Sequence, residues 1–405
     1  MNEPHLNRRA LLKMGGAALL SAGVSGRLFA APAGGARFLL VFLRGGYDST
    51  NFLIPYSSSF YYESRPNIAI AKPDPASNTS ALALDADWAL APAVRESIGS
   101  MYLQRQVAFV PFAGTEDLSR SHFETQDSVE LGQPLSGPRD YRSGFLGRLS
   151  EVLTGPAHPN SSIAFTDALP LSFEGAAMVP NLSLKNVGKP PFDERQARIL
   201  SDMYTGHHLE AAVSNGLELR HEVAQEMAEE MSEANRNAIN TKGFELEAER
   251  MGRLMRDKYR IGFIDIGGWD THVGEGAATG PLASNLGSLG RGLQVFASSL
   301  GSEWNNTVVV VLSEFGRTFR ENGNRGTDHG HGTVYWVLGG SISGGTIAGE
   351  QRRLVQNTLF QNRDYPVLND YRSVLGGLFR TLWGLSPEQS SRVFAQTSLV
   401  DLKLV

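Results

Sequence analysis

The chain has 405 residues, 41% of them hydrophobic and 20% charged, and 37 Lys and Arg against 42 Asp and Glu give a net charge of −5. That balance, without any long basic run, excludes an electrostatic footprint for nucleic acid, while the apolar fraction suffices for a large core. Cysteine is absent, which excludes disulfides, thiolate metal sites and a cysteine nucleophile.

At the amino terminus, Asn7-Arg-Arg-Ala-Leu-Leu-Lys13 precedes a Gly/Ala/Leu-rich stretch from Met14 to about Phe29, followed by the small residues Ala30-Ala-Pro-Ala33. A charged segment, an apolar segment and a small-residue end in that order describe an export signal. Arg8 and Arg9 resemble the pair of a bacterial twin-arginine signal, with Asn7 in place of the usual Ser or Thr. Residues 1–33 are therefore expected to be a signal peptide for the twin-arginine translocation machinery, and residues 34–405 a single domain that is periplasmic or secreted. No later segment has ~18 uninterrupted apolar residues, so no stable membrane span is expected in the mature chain.

Arg37-Phe-Leu-Leu-Val-Phe-Leu43 is apolar with no period, as a strand buried on both faces of a parallel sheet should be. Arg44-Gly-Gly-Tyr-Asp-Ser-Thr-Asn51 turns at its carboxyl end, and residues 57–92, rich in Pro, Ser, Asn and Asp, read as surface loop. Val107 to Phe112 reads as a second strand and Asp117 to Gln126 as a loop entering a helix. Ala, Glu, Met, Leu and Arg at helical spacing predict a long helical insertion over about residues 205–257. A third strand from Tyr259 to Ile266 ends in Gly267-Gly-Trp-Asp-Thr-His272, and a helix from about Leu282 to Leu300 leads to an apolar strand beginning at Thr307. That strand ends in Ser313-Glu314; Gly326-Thr-Asp-His-Gly-His-Gly-Thr333 and a short strand from Val334 to Leu338 follow. Strands alternating with helices predict an α/β fold, a mostly parallel sheet with helices on both faces.

Ligands bind beyond the carboxyl ends of strands in such sheets. Four strand-end segments are therefore expected to converge: Arg44 to Asn51, Ser119 to Gln126, Gly267 to His272, and Glu314 to His331. Four of the nine histidines, His122, His272, His329 and His331, lie in these segments, each near an Asp or Glu. Imidazole with carboxylate suits zinc, manganese or iron, and Asp48, Asp270, Glu314 and Asp328 also suit calcium or magnesium. Crowded carboxylates without a cation would be driven to protonate. Arg44 and Arg317 are candidates to neutralise an anionic group, and equally to pair with a neighbouring Glu or Asp. Ser119 and Ser121, before His122, are candidates for a nucleophile held near backbone N–H groups at a helix start; one of them also suits a plain helix cap.

The succession from Phe42 to Tyr56, Ser119 to Asp127, Gly267 to His272, Ser313 to Thr318, Glu321-Asn-Gly323 and Gly326 to Gly330 resembles the bacterial family catalogued as domain of unknown function 1501, over essentially the whole mature chain to Asp370-Tyr-Arg372. That family is grouped with the alkaline phosphatase and sulfatase superfamily. The resemblance implies an alkaline-phosphatase-like fold, a two-metal site and a Ser or Thr nucleophile. By that resemblance Asp270 and His272 stand for the superfamily's first Asp/His pair, at shorter spacing, and His329 or His331 for its final metal-binding His. Arg44 departs from the pattern where the superfamily has an Asp ligand, which leaves Asp48 as a displaced substitute, and Phe315 replaces a ligand beside Glu314. The missing cysteine excludes formylglycine chemistry. The expected function is an exported, divalent-metal-dependent hydrolase of anionic phosphate or sulfate esters. The alternative is a non-catalytic envelope or surface-assembly protein that keeps the fold and a structural metal.

Overall fold

The computed structural model describes residues 35–154, 161–175, 177–183, 194–211, 213, 214, 217 and 243–405. The expected signal peptide and the middle of the expected helical insertion lie outside the described residues. Of that insertion's flanks, helices Glu194–Tyr204 and Phe244–Asp257 are described.

The strands are β1 (Arg37–Leu43), β2 (Leu53–Ile54), β3 (Leu82–Ala83), β4 (Ala89–Leu90), β5 (Val107–Gly114), β6 (Ser162–Ala164), β7 (Ile261–Ile266), β8 (Thr307–Ser313), β9 (Thr333–Leu338), β10 (Thr346–Ile347) and β11 (Asn369–Asp370). Among the described residues eight of them form one sheet in the order β10-β5-β9-β8-β1-β7-β6, with β11 beside β5. Strands β6, β7, β1 and β8 run parallel. Strand β9 is antiparallel to both β8 and β5. A parallel neighbour needs a crossover, usually a helix; residues 314–332 contain no helix, so the chain turns at one edge of the sheet and comes back. Because β9 is reversed, β5 points the same way as β8. The carboxyl ends of β1, β5, β7 and β8 and the amino end of β9 therefore share one edge.

Strand β1 explains why its apolar run lacks a period. Leu39, Val41 and Leu43 join a core with Val309, Val311 and Leu286, Leu289 and Leu293 of the helix Pro281–Leu300. Phe38 is equally buried on the other face, where its ring meets Phe379 and Trp383 of the helix Tyr371–Trp383 at 4.9 and 6.4 Å. Successive side chains point to opposite faces; both faces carry helices, and every position from Phe38 to Leu43 is apolar. The long helix Pro281–Leu300 begins with Pro281 in its first turn and stops at Gly301 with φ 57°.

Two differences from the sequence expectation stand out. Residues 57–92 are more than surface loop: they contain the helix Ser59–Ser64 and the strands β3 and β4, which pair with β2 in a small antiparallel sheet. Arg65, which follows that helix, is fully buried against Asp48. Helices Phe145–Leu153, Tyr371–Trp383 and Pro387–Val393 lie where the sequence reading placed no element.

Candidate metal centre

The turn after β1 brings the strand ends together. Gly45 and Gly46 have φ of 124° and 62°, conformations that favour glycine. A Cβ on Gly45 would lie 2.8 Å from the backbone nitrogen of Asp270, and one on Gly46 would run into the Phe315 ring. The β1 turn is thus packed directly on the segments after β7 and β8. Arg317, fully buried, stitches the same three segments: it donates to the carbonyls of Gly45 at 2.7 Å and Thr327 at 3.2 Å, and to the carboxylate of Asp270.

Three imidazoles surround Asp270. His122, first residue of the helix His122–Leu131, has Nδ1 2.8 Å from Oε1 of Glu314. His272 has Nδ1 3.2 Å from Oδ1 of Asp328, and His329 has Nδ1 3.0 Å from the carbonyl of Arg120. Each Nδ1 faces an acceptor, which assigns the proton there and leaves each Nε2 with a lone pair. All three Nε2 atoms turn to Asp270: His272 and His329 lie 3.0 and 3.3 Å from Oδ1, and His122 lies 3.5 Å from Oδ2. The donor atoms of His122, Asp270 and His329 all fall within 4.8 Å of one another.

This arrangement fits a cation. The Nε2 of His122 is buried without a hydrogen-bond partner, and such orphans are rare unless an ion or water completes them. The Nε2 atoms of His272 and His329 are 3.1 Å apart, and two lone pairs at that distance repel unless a shared positive partner lies between. Metal-bound histidines characteristically donate their other N–H to a carboxylate or carbonyl.

The charges are arranged to keep Asp270 ionised. Burial raises its pKa, but the hydrogen bond and charge of the Arg317 guanidinium overcome this and hold it below the ordinary carboxylate range. Glu314 behaves alike: burial pushes its carboxyl up, while hydrogen bonds from His122, Gln126 and the Gly45 N–H bring it below its usual value.

The other residues singled out in the sequence lie as follows. Glu314 and Asp328 stand behind His122 and His272 as acceptors for Nδ1, a different position from the direct ligands expected. Asp48 lies in another buried cluster, paired with Arg65 and capping the 3-10 turn Ser49–Asn51. His331 is 6% exposed, its ring 4.9 Å from Phe360; burial and then the charge of Arg120 lower its pKa to about 4. It is a packed neutral imidazole outside the Asp270 cluster. Arg44 is held by Glu130 at 2.8 Å and Asp265 at 2.6 Å. The Ser119 hydroxyl lies 3.2 Å from that of Thr125, and Ser121 occupies the helix N-cap without a capping bond from its side chain. Neither hydroxyl bonds His122, Asp270, His272 or His329.

Sequence reasoning assigned no role to four contributors. Gln126 donates to Glu314 at 2.9 Å, and Asn322 donates to Asp328 and to the carbonyl of His272, both at 3.0 Å. Both residues sit in stretches that carry the family resemblance, which is the signal that pointed to them. Arg120 contributes through its backbone: its left-handed φ of 51° aims its carbonyl at His329, and its guanidinium is anchored 2.7 Å from Asp364. Glu275 carries no motif at all.

Residues 36–396 match the model of a family described as a protein of unknown function, DUF1501. No curated protein matches the chain. Among solved structures, a protein in the alkaline phosphatase superfamily from Vibrio parahaemolyticus is similar at 12% identity and a TM-score of 0.31, over 75% of this chain and 60% of that one. This chain thus spans less than two thirds of that protein's length. The lipoteichoic acid synthase LtaP from Listeria monocytogenes is similar at 9% identity and a TM-score of 0.41, over 92% of this chain and 76% of that one. Ps i-CgsB in complex with k-i-k-neocarrahexaose is similar at 10% identity and a TM-score of 0.35, over 87% and 73%. Among the described residues, no helix is long and apolar enough to cross a membrane.

Proposed function

We propose that this chain, which belongs to the DUF1501 family of proteins of unknown function, is an exported hydrolase of phosphate or sulfate esters that depends on a divalent metal. The observation that carries the reading is the convergence of three imidazole Nε2 atoms on the Asp270 carboxylate, each imidazole held by its Nδ1. His122, Asp270, His272 and His329 would hold the ion. Three nitrogens with one carboxylate suit zinc, manganese or iron, whereas calcium and magnesium take oxygen donors. A divalent cation there supplies Lewis acidity toward an ester oxygen and lowers the pKa of water.

The chain's own residues set up the rest. Arg317 fixes Asp270 and keeps it ionised, so its charge is spent on positioning the carboxylate. Arg44 is likewise engaged, with Glu130 and Asp265. The amino end of the His122–Leu131 helix has no side-chain cap, and uncapped N–H groups with the helix dipole suit an anionic oxygen. This end lies beside His122 and so beside the proposed ion.

Purified protein, stripped of metal and then reloaded with zinc or manganese, is expected to hydrolyse an aryl phosphate or an aryl sulfate. Metal-loaded protein that turns over neither ester would overturn the hydrolase reading in favour of a non-catalytic envelope protein with a structural metal. We also propose export through the twin-arginine machinery, on the strength of Arg8, Arg9 and the apolar stretch that follows. Arg8→Lys with Arg9→Lys is expected to leave the precursor in the cytoplasm, and unimpaired export of that double variant would contradict it.

A further inference from the structure

Below the candidate metal centre lies a second cluster that the hydrolase reading leaves unused. Asp48, Arg65 and Glu275 are each completely buried, with Asn51 and Tyr61 beside them. Arg65 pairs with Asp48 and also donates to the carbonyls of Thr318 and Phe319 at 3.0 and 2.7 Å. Its Nη1 lies 4.0 Å from Oε1 of Glu275, and Asn51 Nδ2 lies 3.4 Å from the same oxygen.

The other carboxyl oxygen reaches toward the metal centre. Oε2 of Glu275 accepts the hydroxyl of Thr271 at 2.9 Å and the hydroxyl of Thr327 at 3.0 Å. Thr271 lies between Asp270 and His272, while Thr327 immediately precedes Asp328 and His329. The two segments run side by side: the Thr327 N–H donates to the Thr271 carbonyl at 3.1 Å, and the Glu275 N–H donates to the Arg325 carbonyl at 3.0 Å. At Gly326 they are so close that a Cβ would overlap the carbonyl of His272. One buried oxygen thus ties the loop carrying Asp270 and His272 to the loop carrying His329.

We propose that Glu275 is a positioning residue for the metal centre, which sets the spacing between the Asp270–His272 loop and the Asp328–His329 loop through the two threonine hydroxyls. The inference rests on the reading of that centre as a metal site. Arg65 can balance only one of two carboxylates, and Asp48 is the one it contacts directly. Burial first, and then the charge of Asp48, raise the Glu275 carboxyl well above its usual value. A neutral acid still accepts two hydroxyl hydrogen bonds at one oxygen. A glutamine amide does the same, so charge is dispensable at this position and shape is not.

Zinc affinity, measured by competition with a chromophoric chelator, tests this together with the melting temperature. Glu275→Gln is expected to bind zinc within about threefold of the wild type. Glu275→Ala is expected to lose about 10- to 100-fold, the range for residues that support ligands from behind. Thr271→Val and Thr327→Val keep the side-chain shape and remove one hydroxyl each, so they remain informative if Glu275→Ala does not fold. Each is expected to weaken zinc binding, and Thr271→Ser to restore it. Variants that melt lower but bind zinc like the wild type would reduce Glu275 to a structural role and overturn the inference, with the metal site intact. A wild-type protein that binds no zinc would overturn the metal reading and this inference with it.

Discussion

The Nδ1 of His122 lies 2.8 Å from Oε1 of Glu314, and Glu314 is wholly buried. That one contact decides which imidazole nitrogen is left for chemistry, because the Nδ1–H donates to the carboxylate and Nε2 is left facing Asp270. Glu314 itself is fixed by the Gly45 N–H at 2.9 Å, Gln126 at 2.9 Å and the Ser313 hydroxyl at 2.9 Å.

Replacing Glu314 by Gln keeps the size and removes the charge. Zinc affinity of Glu314→Gln is expected to fall by about 10- to 100-fold relative to the wild type, as for other residues that orient a metal-bound imidazole. Equal affinity in a chelator-competition assay would mean that His122 is aligned without the carboxylate.

The serine hydroxyls sit at the entry to a helix. Ser119→Ala and Ser121→Ala are expected to lower stability by about 1 kcal/mol or less and to leave ester turnover within a few-fold of the wild type. A loss of several orders of magnitude in kcat with an unchanged Tm would instead make that serine the nucleophile.

Breaking the Asp48–Arg65 pair strands a buried carboxylate. Arg65→Met is expected to cost about 3–5 kcal/mol in urea unfolding, because the Thr318 and Phe319 carbonyls also lose their donor. A change below about 1 kcal/mol would show that the pair is solvated in the protein as it exists in solution.

Asp117 precedes the loop that leads to His122. Burial raises its pKa, but the Ser128 hydroxyl at 2.6 Å, the Ser119 N–H at 2.9 Å and the Arg139 charge outweigh this, so the folded carboxyl titrates below its unfolded value. Such a group stabilises the fold above the unfolded pKa, about 3.9, and its contribution is lost as pH falls through the folded pKa. Asp117→Asn is therefore expected to be less stable than the wild type at pH 7, with the gap closing below pH ~4. A gap that is constant with pH would assign the effect to packing.

The main sheet was legible because its central strands are buried on both faces and read as apolar runs. The direction of β9 was not, since it depends on whether residues 314–332 cross over or turn back, and side-chain pattern says nothing of that. The helix Tyr371–Trp383 was hidden by Gly376 and Gly377, a pair that reads as a breaker. In the folded chain a Cβ at Gly377 would overlap the carbonyl of Val400, so the glycines make room for the chain crossing the helix. At the site, the strand-end position of Asp270, His272 and His329 was visible in the sequence. Which acidic residues face the centre and which stand behind an imidazole depends on side-chain direction, and spacing alone does not resolve Glu314 and Asp328 from Asp270. Glu275 had no signal because its partners are two threonines and a distant arginine.

The most direct test is zinc titration into metal-free wild-type protein and four single variants: His122→Ala, His272→Ala, His329→Ala and His331→Ala. Folding of each is checked by circular dichroism. The wild type and His331→Ala are expected to bind zinc stoichiometrically, and the other three to lose more than about 10-fold in affinity. Stoichiometric binding retained in His122→Ala, His272→Ala and His329→Ala alike, or absent from the wild type, would contradict a metal centre built on Asp270.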